Sequence, residues 1–487
     1  MISNGYAEVI AALLLSSAVA RADVAISNKP TSNMSCVSGV CTATAQKAVL
    51  NVGDLANMLA GGDVTVKTGT LAKDISLDQP LSWTSTGRLT LDAQQSVIVN
   101  KQVTVTGAGS LTVTTNDNGQ PKNKSGEFII VPERGSVQLW DSSSSLIIDG
   151  KPYALVYDIK TLAADIAANP SGFYALAKPY DASVDGTYGS SPIPTTLSGI
   201  FDGLGNAVSN LMMEFPSNGD DGLFHSIGTG GQVLHVGVLN ATLAGTAFHG
   251  GYGGIGPLAG SNFGFVKEAY ATGTVYVPIG TNELTGGLIG YNQGTILYSR
   301  SATNVTAAGE GIVGGIASIN AGLIAESYSG GKLKTAAGNN SPGGIAGYNS
   351  GLIANTYSLA KVNQNGQCCG RGYYGGLVGE NKPEGQISAS YAAGKTGHTK
   401  QSGAVGGGLI GFDGADGGNA SASYWNLDTG VGDSGQGAGN VKNDPGITGL
   451  TTKQLKAGLP AGFDPEVWAI NPNINDGYPY LRNNRPE

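Results

Sequence analysis

Gly256-Pro-Leu-Ala-Gly-Ser-Asn262, Gly286-Gly-Leu-Ile-Gly-Tyr-Asn292, Gly314-Gly-Ile-Ala-Ser-Ile-Asn320, Gly343-Gly-Ile-Ala-Gly-Tyr-Asn349, Gly375-Gly-Leu-Val-Gly-Glu-Asn381 and Gly407-Gly-Leu-Ile-Gly-Phe-Asp413 are six versions of one heptad. Their starts lie 30, 28, 29, 32 and 32 residues apart. A fixed period in this range marks an array of stacked units, none of which buries its apolar side alone. The first column is Gly throughout, and the third is Leu258, Leu288, Ile316, Ile345, Leu377 and Leu409. The seventh is Asn five times and Asp413 last. The Leu/Ile column reads as an inward strand position. The glycines allow a tight turn and close approach of the next unit. Asn tolerates a left-handed turn, and stacked amides can hydrogen-bond as a ladder.

A second motif follows the heptads, as in Phe265-Val-Lys-Glu-Ala-Tyr270, Leu323-Ile-Ala-Glu-Ser-Tyr328 and Leu352-Ile-Ala-Asn-Thr-Tyr357. Tyr270, Tyr328, Tyr357, Tyr391 and Tyr424 are expected to form an aromatic column, interrupted by Arg300. Short strand signals at this period predict an all-β chain, a parallel β-helix (β-solenoid) with coils of about 30 residues. A helical repeat is the competing reading. One residue in six is Gly, and each costs a helix interior about 1 kcal/mol.

These residues resemble the GLUG repeat of large bacterial surface exoproteins. Asp54-Leu-Ala-Asn-Met-Leu59, Leu81-Ser-Trp-Thr-Ser85, Leu89-Thr-Leu-Asp-Ala93, the stretch 161–177 and Phe201-Asp-Gly-Leu-Gly-Asn206 extend the likeness. They are similar to the passenger region of filamentous-haemagglutinin-like exoproteins, over residues 35–482. The resemblance implies a secreted or cell-surface, outer-membrane-associated adhesin-like exoprotein. It would be a rod presenting a surface to host or environmental glycans or proteins, without catalysis or cofactor. It also implies an outer-membrane secretion partner, yet the secretion domain such a partner recognises, with its Asn-Pro-Asn-Gly-Ile motif, has no counterpart here. The alternatives are a β-helix carbohydrate-active enzyme, a structural stalk or a non-exported exoprotein fragment.

Charged residues are only 13% of the chain and the net charge is −8. That disfavours nucleic acid, which needs clustered Lys and Arg. Residues 1–22 hold the apolar run Val9–Ala20, too short to span a bilayer and read as a possible signal peptide. No other stretch approaches transmembrane length. Residues 36–157 read as an irregular N-terminal section of the same helix, and 158–199 as an insertion with one side helix within 158–177, capped by Asp158 and stopped by Asn169-Pro170-Ser-Gly172. Residues 200–425 carry the repeats. Residues 426–487 are expected to cap the final coil with Trp468, Ile470, Tyr478, Tyr480 and Leu481.

Four cysteines are too few for a disulfide framework. Cys36 and Cys41 suit a local bridge. Cys368 and Cys369 lie in the loop Asn363–Tyr374, where a ring disulfide and two thiols both remain open. A glycosidase needs paired carboxylates; Asp202, Asp220 and Asp221 are the densest set and read as turn aspartates. His225, His235, His249 and His398 show no metal-ligand spacing, although His225 and His235 could approach on neighbouring strands. Asp413-Gly-Ala-Asp-Gly-Gly-Asn419 lacks the remaining features of a calcium loop. The binding surface is expected on the coil face and on loops such as Asn363–Tyr374.

Overall fold

The computed structural model describes residues 23–117, 126–215, 219–245, 253–278, 284–309, 311–335, 340–364, 372–398, 404–430 and 435–486. The segment 1–22, His249, Cys368 and Cys369, and the side chain of His398 lie outside the described residues. The chain is nearly all β, with few helices and long parallel sheets. It divides into two compact units. One comprises Met1–Tyr157, Phe173–Pro179 and Gly203–Asn206, and the other Asp158–Gly172, Tyr180–Asp202 and Ala207–Glu487.

In the first unit, most strands are three to six residues long and many alternate inward apolar with outward positions. In Arg88–Asp92, for example, Leu89 and Leu91 are buried while Thr90 is half-exposed. Val103–Val105 pairs in parallel with Leu81–Trp83 on one side and Val137–Leu139 on the other. The hairpin of Met34–Val37 and Val40–Ala43 is closed by a Cys36–Cys41 disulfide. A helix absent from the sequence reading spans Val52–Gly61. Asn51 caps it by accepting from the Gly53 and Asp54 amides, and Leu55 and Leu59 are buried. Its Leu-x-x-x-Leu spacing puts both side chains on one face, but a two-residue face is too short a signal to read unaided.

In the second unit the heptads set the register. Their fourth to seventh residues form Ala259–Asn262, Ile289–Asn292, Ala317–Asn320, Ala346–Asn349, Val378–Asn381 and Ile410–Asp413, each paired in parallel with the strand one repeat on. Phe224–Ile227, ahead of the first heptad, heads this sheet. The first Gly of five heptads ends strands of a second sheet: Leu284–Gly286, Ile312–Gly314, Ser341–Gly343, Tyr373–Gly375 and Val405–Gly407. A Cβ on Gly286, Gly314, Gly343, Gly375 or Gly407 would overlap the carbonyl oxygen of Ile289, Ala317, Ala346, Val378 or Ile410 respectively. The column is glycine because of this approach within its own heptad, and none of the five has a left-handed backbone. Leu288, Ile316, Ile345, Leu377 and Leu409 are fully buried.

The asparagines do one of the two things expected of them. Asn262, Asn292, Asn320 and Asn349 each donate from Nδ2 to Oδ1 of the next amide at 2.8 Å, and Asn381 reaches Asp413 Oδ1 at 3.4 Å. All are buried. None takes the left-handed turn. That falls to His235, Glu268, Tyr298, Glu326, Asn355, Ala389 and Ala422, with φ between 42° and 54°. Each asparagine ends a paired strand, and its side-chain amide donates across to the next strand of the sheet. Asp413 ends the ladder as an acceptor, its oxygens also taking the Ala415 and Gly417 amides.

The side helix runs over Ile159–Ala168 and ends at the expected stop, so the candidate stretch to 177 is helical only in its first half. After Asn169–Gly172, Phe173–Leu176 is a strand paired with Ala154–Val156. The C-terminal segment does not stop at the final repeat. Another strand, Ile447–Leu450, pairs with Ser423–Asn426, and Thr452–Leu455 follows with a capping box. The chain then runs back over the tyrosine column. Trp468 packs 6.1 Å from the Tyr357 ring and 5.9 Å from the Tyr391 ring, and its Nε1 donates to Asn355 Oδ1. Asn484 donates to the carbonyls of Ser299 and Glu326. The tyrosines offer a long flat apolar flank, which a plug at the end would leave wet. Tyr328, Tyr357 and Tyr391 stack at 4.7 and 5.2 Å with planes 5° apart. Arg300 does not break the column: its guanidinium lies 4.5 Å from the Tyr270 ring centroid.

Candidate binding face

The sixth heptad position is where the repeat meets solvent. In the strand of each of the last five heptads the fourth, fifth and seventh residues are buried and the sixth alone keeps partial exposure. Parallel register lines up Tyr291, Ile319, Tyr348, Glu380 and Phe412 one strand apart. Phe263, 39% exposed, packs 6.0 Å from Tyr291, and Tyr373 stacks on Phe412 at 4.6 Å. Lys382 Nζ lies 4.1 Å over the Tyr348 ring and donates to Glu380 Oε1 at 2.6 Å. Burial, then the Glu380 charge, raises the Tyr348 phenol above its usual range, so it stays a neutral hydroxyl. The stripe offers half-buried aromatic faces with a hydroxyl, a carboxylate and an ammonium between them. It can stack against a flat or apolar partner and hydrogen-bond around it. Of the loop Asn363–Tyr374, residues 365–371 lie outside the described residues.

The acidic set is placed elsewhere. Asp202 is not a solvated turn aspartate. It is buried, with Oδ1 3.0 Å from His235 Nδ1, while His235 Nε2 is 3.2 Å from Glu268 Oε2. Lys267 Nζ lies 3.8 Å from Glu268 Oε1. Burial disfavours the charged imidazole, but the Asp202 and Glu268 carboxylates outweigh it and raise the His235 pKa. The two carboxylates sit on opposite ring nitrogens, so the trio bridges adjacent repeats and does not converge on a ligand. His225 and His235 take separate partners, His225 Nδ1 lying 2.8 Å from the Asp220 carbonyl. Asp220 Oδ1 accepts from the Gly254 amide, and Asp221 is buried, which pushes its carboxyl up to about 6. Among the described residues no group of three or more His, Cys, Asp or Glu is placed to hold a metal ion. No helix there is long and apolar enough to cross a membrane.

Sequence reasoning missed Glu268, Lys267 and Glu326. The available signal was positional: Glu268 and Glu326 hold the same place in the second motif, directly after Phe265–Lys267 and Leu323–Ala325. Glu326 is fully buried, beside Asn484. Burial pushes its carboxyl up to about 7, against a hydrogen bond from Asn483 that lowers it. The folded state therefore holds this proton more tightly than the unfolded chain, whose Glu titrates near about 4.3. The resulting stability is whole below that value and is lost as pH rises through about 7. Chemical unfolding at a series of pH values is expected to show this decline, and Glu326→Gln to flatten that part of the profile. An unchanged profile in the variant would refute the assignment.

No family model matches the chain. A stretch of 279 residues, 55% of the chain, is 28% identical to Halomucin of Haloquadratum walsbyi (strain DSM 16790 / HBSQ001) and covers 3% of that protein. Among solved structures, a Bacteroides ovatus protein described as a candidate immunoglobulin A1 protease aligns with TM-score 0.40 and 17% identity. The alignment covers 68% of this chain and 93% of that one.

Proposed function

We propose that this chain is part of a secreted or cell-surface exoprotein of the GLUG-repeat, filamentous-haemagglutinin-like kind. In this reading the parallel sheets are the sides of a β-helical rod that binds surface glycans or proteins without chemistry. The observation that carries it is the outward stripe Tyr291, Ile319, Tyr348, Glu380 and Phe412, held in register by a buried amide ladder. A purely structural stalk has no use for aromatic rings at a solvent-facing position. The likeness to a small part of a very long protein, Halomucin, fits a segment of an extended exoprotein.

The test is binding of the purified chain to an immobilised panel of glycans and extracellular glycoproteins. Tyr348→Ala/Phe412→Ala is expected to weaken binding at least about fivefold, two aromatic contacts of about 0.5–1.5 kcal/mol each, with an unchanged circular dichroism spectrum. Binding that survives the double variant removes the stripe from the account, and no binding at all leaves a stalk. One observation favours an enzyme instead, the raised carboxyl of Asp221. Turnover of a bound polysaccharide, lost in Asp221→Asn, would establish that reading.

A further inference from the structure

Trp83, Trp425 and Trp468 are buried, at 4%, 5% and 0% exposure, whereas Trp140 in the first unit is 47% exposed. An indole left in water forgoes much of the stabilisation its area could give. This one is nonetheless held in place. Its amide donates to the Val105 carbonyl at 2.9 Å, and its Nε1 donates to Gln138 Oε1 at 3.3 Å. The Leu139 amide donates to the Ala177 carbonyl, bringing Lys178 alongside, with Nζ 4.7 Å over the Trp140 ring and 6.0 Å from that of Tyr157. Tyr157 in turn donates from its hydroxyl to the Asp141 carbonyl at 2.7 Å. The ring is fixed before any ligand arrives, which lowers the entropy cost of binding.

Beside the ring and its lysine runs a row of amide and hydroxyl side chains. Gln138, Thr104 and Ser82 form one outward column on three adjacent strands, and Gln102 Nε2 donates to Thr104 Oγ1 at 3.1 Å. Asp141, next in the chain, accepts from the Ser143 amide and hydroxyl at Oδ1. An aromatic plane beside a row of amide and hydroxyl groups matches a pyranose, whose C–H face is apolar and whose rim is hydroxyl. The strand spacing of about 4.8 Å is close to the length of one sugar ring, so successive residues of a chain can meet successive strands.

We propose that Trp140, with Gln138, Thr104 and Lys178, forms a binding site for a neutral polysaccharide chain, the pyranose stacking on the indole and its hydroxyls meeting the amide, hydroxyl and ammonium. It is separate from the stripe of the second unit and stands or falls without it. The test titrates the full chain with neutral hexasaccharides of β-linked glucose, xylose and N-acetylglucosamine. Tryptophan emission reports on the one exposed indole, and calorimetry follows variants that lack it. At least one hexasaccharide is expected to give a saturable emission change. Trp140→Ala is expected to weaken the measured binding severalfold, up to about tenfold, and Gln138→Ala to weaken it less, while Val184→Ala, at an exposed side chain outside both faces, leaves it unchanged. Circular dichroism of each variant confirms the fold. The proposal is overturned if none of the three gives a saturable signal, or if Trp140→Ala binds as the wild type does. Loss through Tyr348→Ala alone would assign the binding to the stripe and overturn the Trp140 site specifically.

Discussion

Gly314→Ala is expected to destabilise the repeat region by about 3 kcal/mol or more, as overpacking against rigid backbone does. The new Cβ would overlap the Ala317 carbonyl oxygen, and the next neighbours are also backbone, including the Gly347 amide. No rotamer change relieves the clash. The strand Ala317–Asn320 must move, yet it is pinned between Ile289–Asn292 and Ala346–Asn349. The measurement is the midpoint of chemical unfolding, with hydrogen exchange locating the damage at those strands. Gly330→Ala is the control. A Cβ there meets only the Ser301 carbonyl oxygen at 3.9 Å, and the backbone is not left-handed. That variant is expected to be neutral or stabilised by about 0.4–1 kcal/mol through the unfolded chain. Equal effects from the two would show that the glycine column is not set by close approach.

Asn320→Ala is the second large effect. Asn320 accepts from Asn292 and donates to Asn349, both at 2.8 Å and all fully buried. Removing it orphans a donor on one side and an acceptor on the other, at about 1–3 kcal/mol each, partly relieved where Asn292 Nδ2 reaches the Leu323 carbonyl. A loss of about 2–4 kcal/mol is expected. Asn320→Asp should be worse at neutral pH, since it sets a carboxylate against the Asn349 oxygen with no donor between them. The same residue type is accommodated at Asp413 because the chain there offers the Ala415 and Gly417 amides. If Asp at position 320 proved as stable as Asn, the ladder would not carry the directionality assigned to it.

The repeats were the most legible part of the chain. A Leu/Ile column such as Leu288 to Leu409 and an Asn column from Asn262 to Asn381 recur because each copy faces the same environment, and identity at a fixed period reports that environment directly. The left-handed corner was not legible. His235, Glu268, Tyr298, Glu326, Asn355, Ala389 and Ala422 share a backbone conformation but no side-chain type. Pairing on both sides holds that backbone, at about 1–2 kcal/mol per non-glycine residue, so the residue itself carries no signature. The trio Asp202, His235 and Glu268 was hidden similarly. Its members lie 33 residues apart, about one repeat, and look unrelated until the strands pair. The outward stripe was half legible. Tyr291, Tyr348 and Phe412 stood in the heptads, but only burial along the folded strand shows that the sixth position alone keeps partial exposure. Trp140 lies outside the repeats, where no period singles it out.

The central claim is display of the repeats on a cell surface, and protease shaving of intact cells expressing the native chain tests it most directly. Peptides from Gly286–Asp413 are predicted in the fraction released before lysis, along with peptides of known surface proteins. Their appearance only after lysis, with surface controls released and cytoplasmic controls retained, would contradict the surface-exoprotein account.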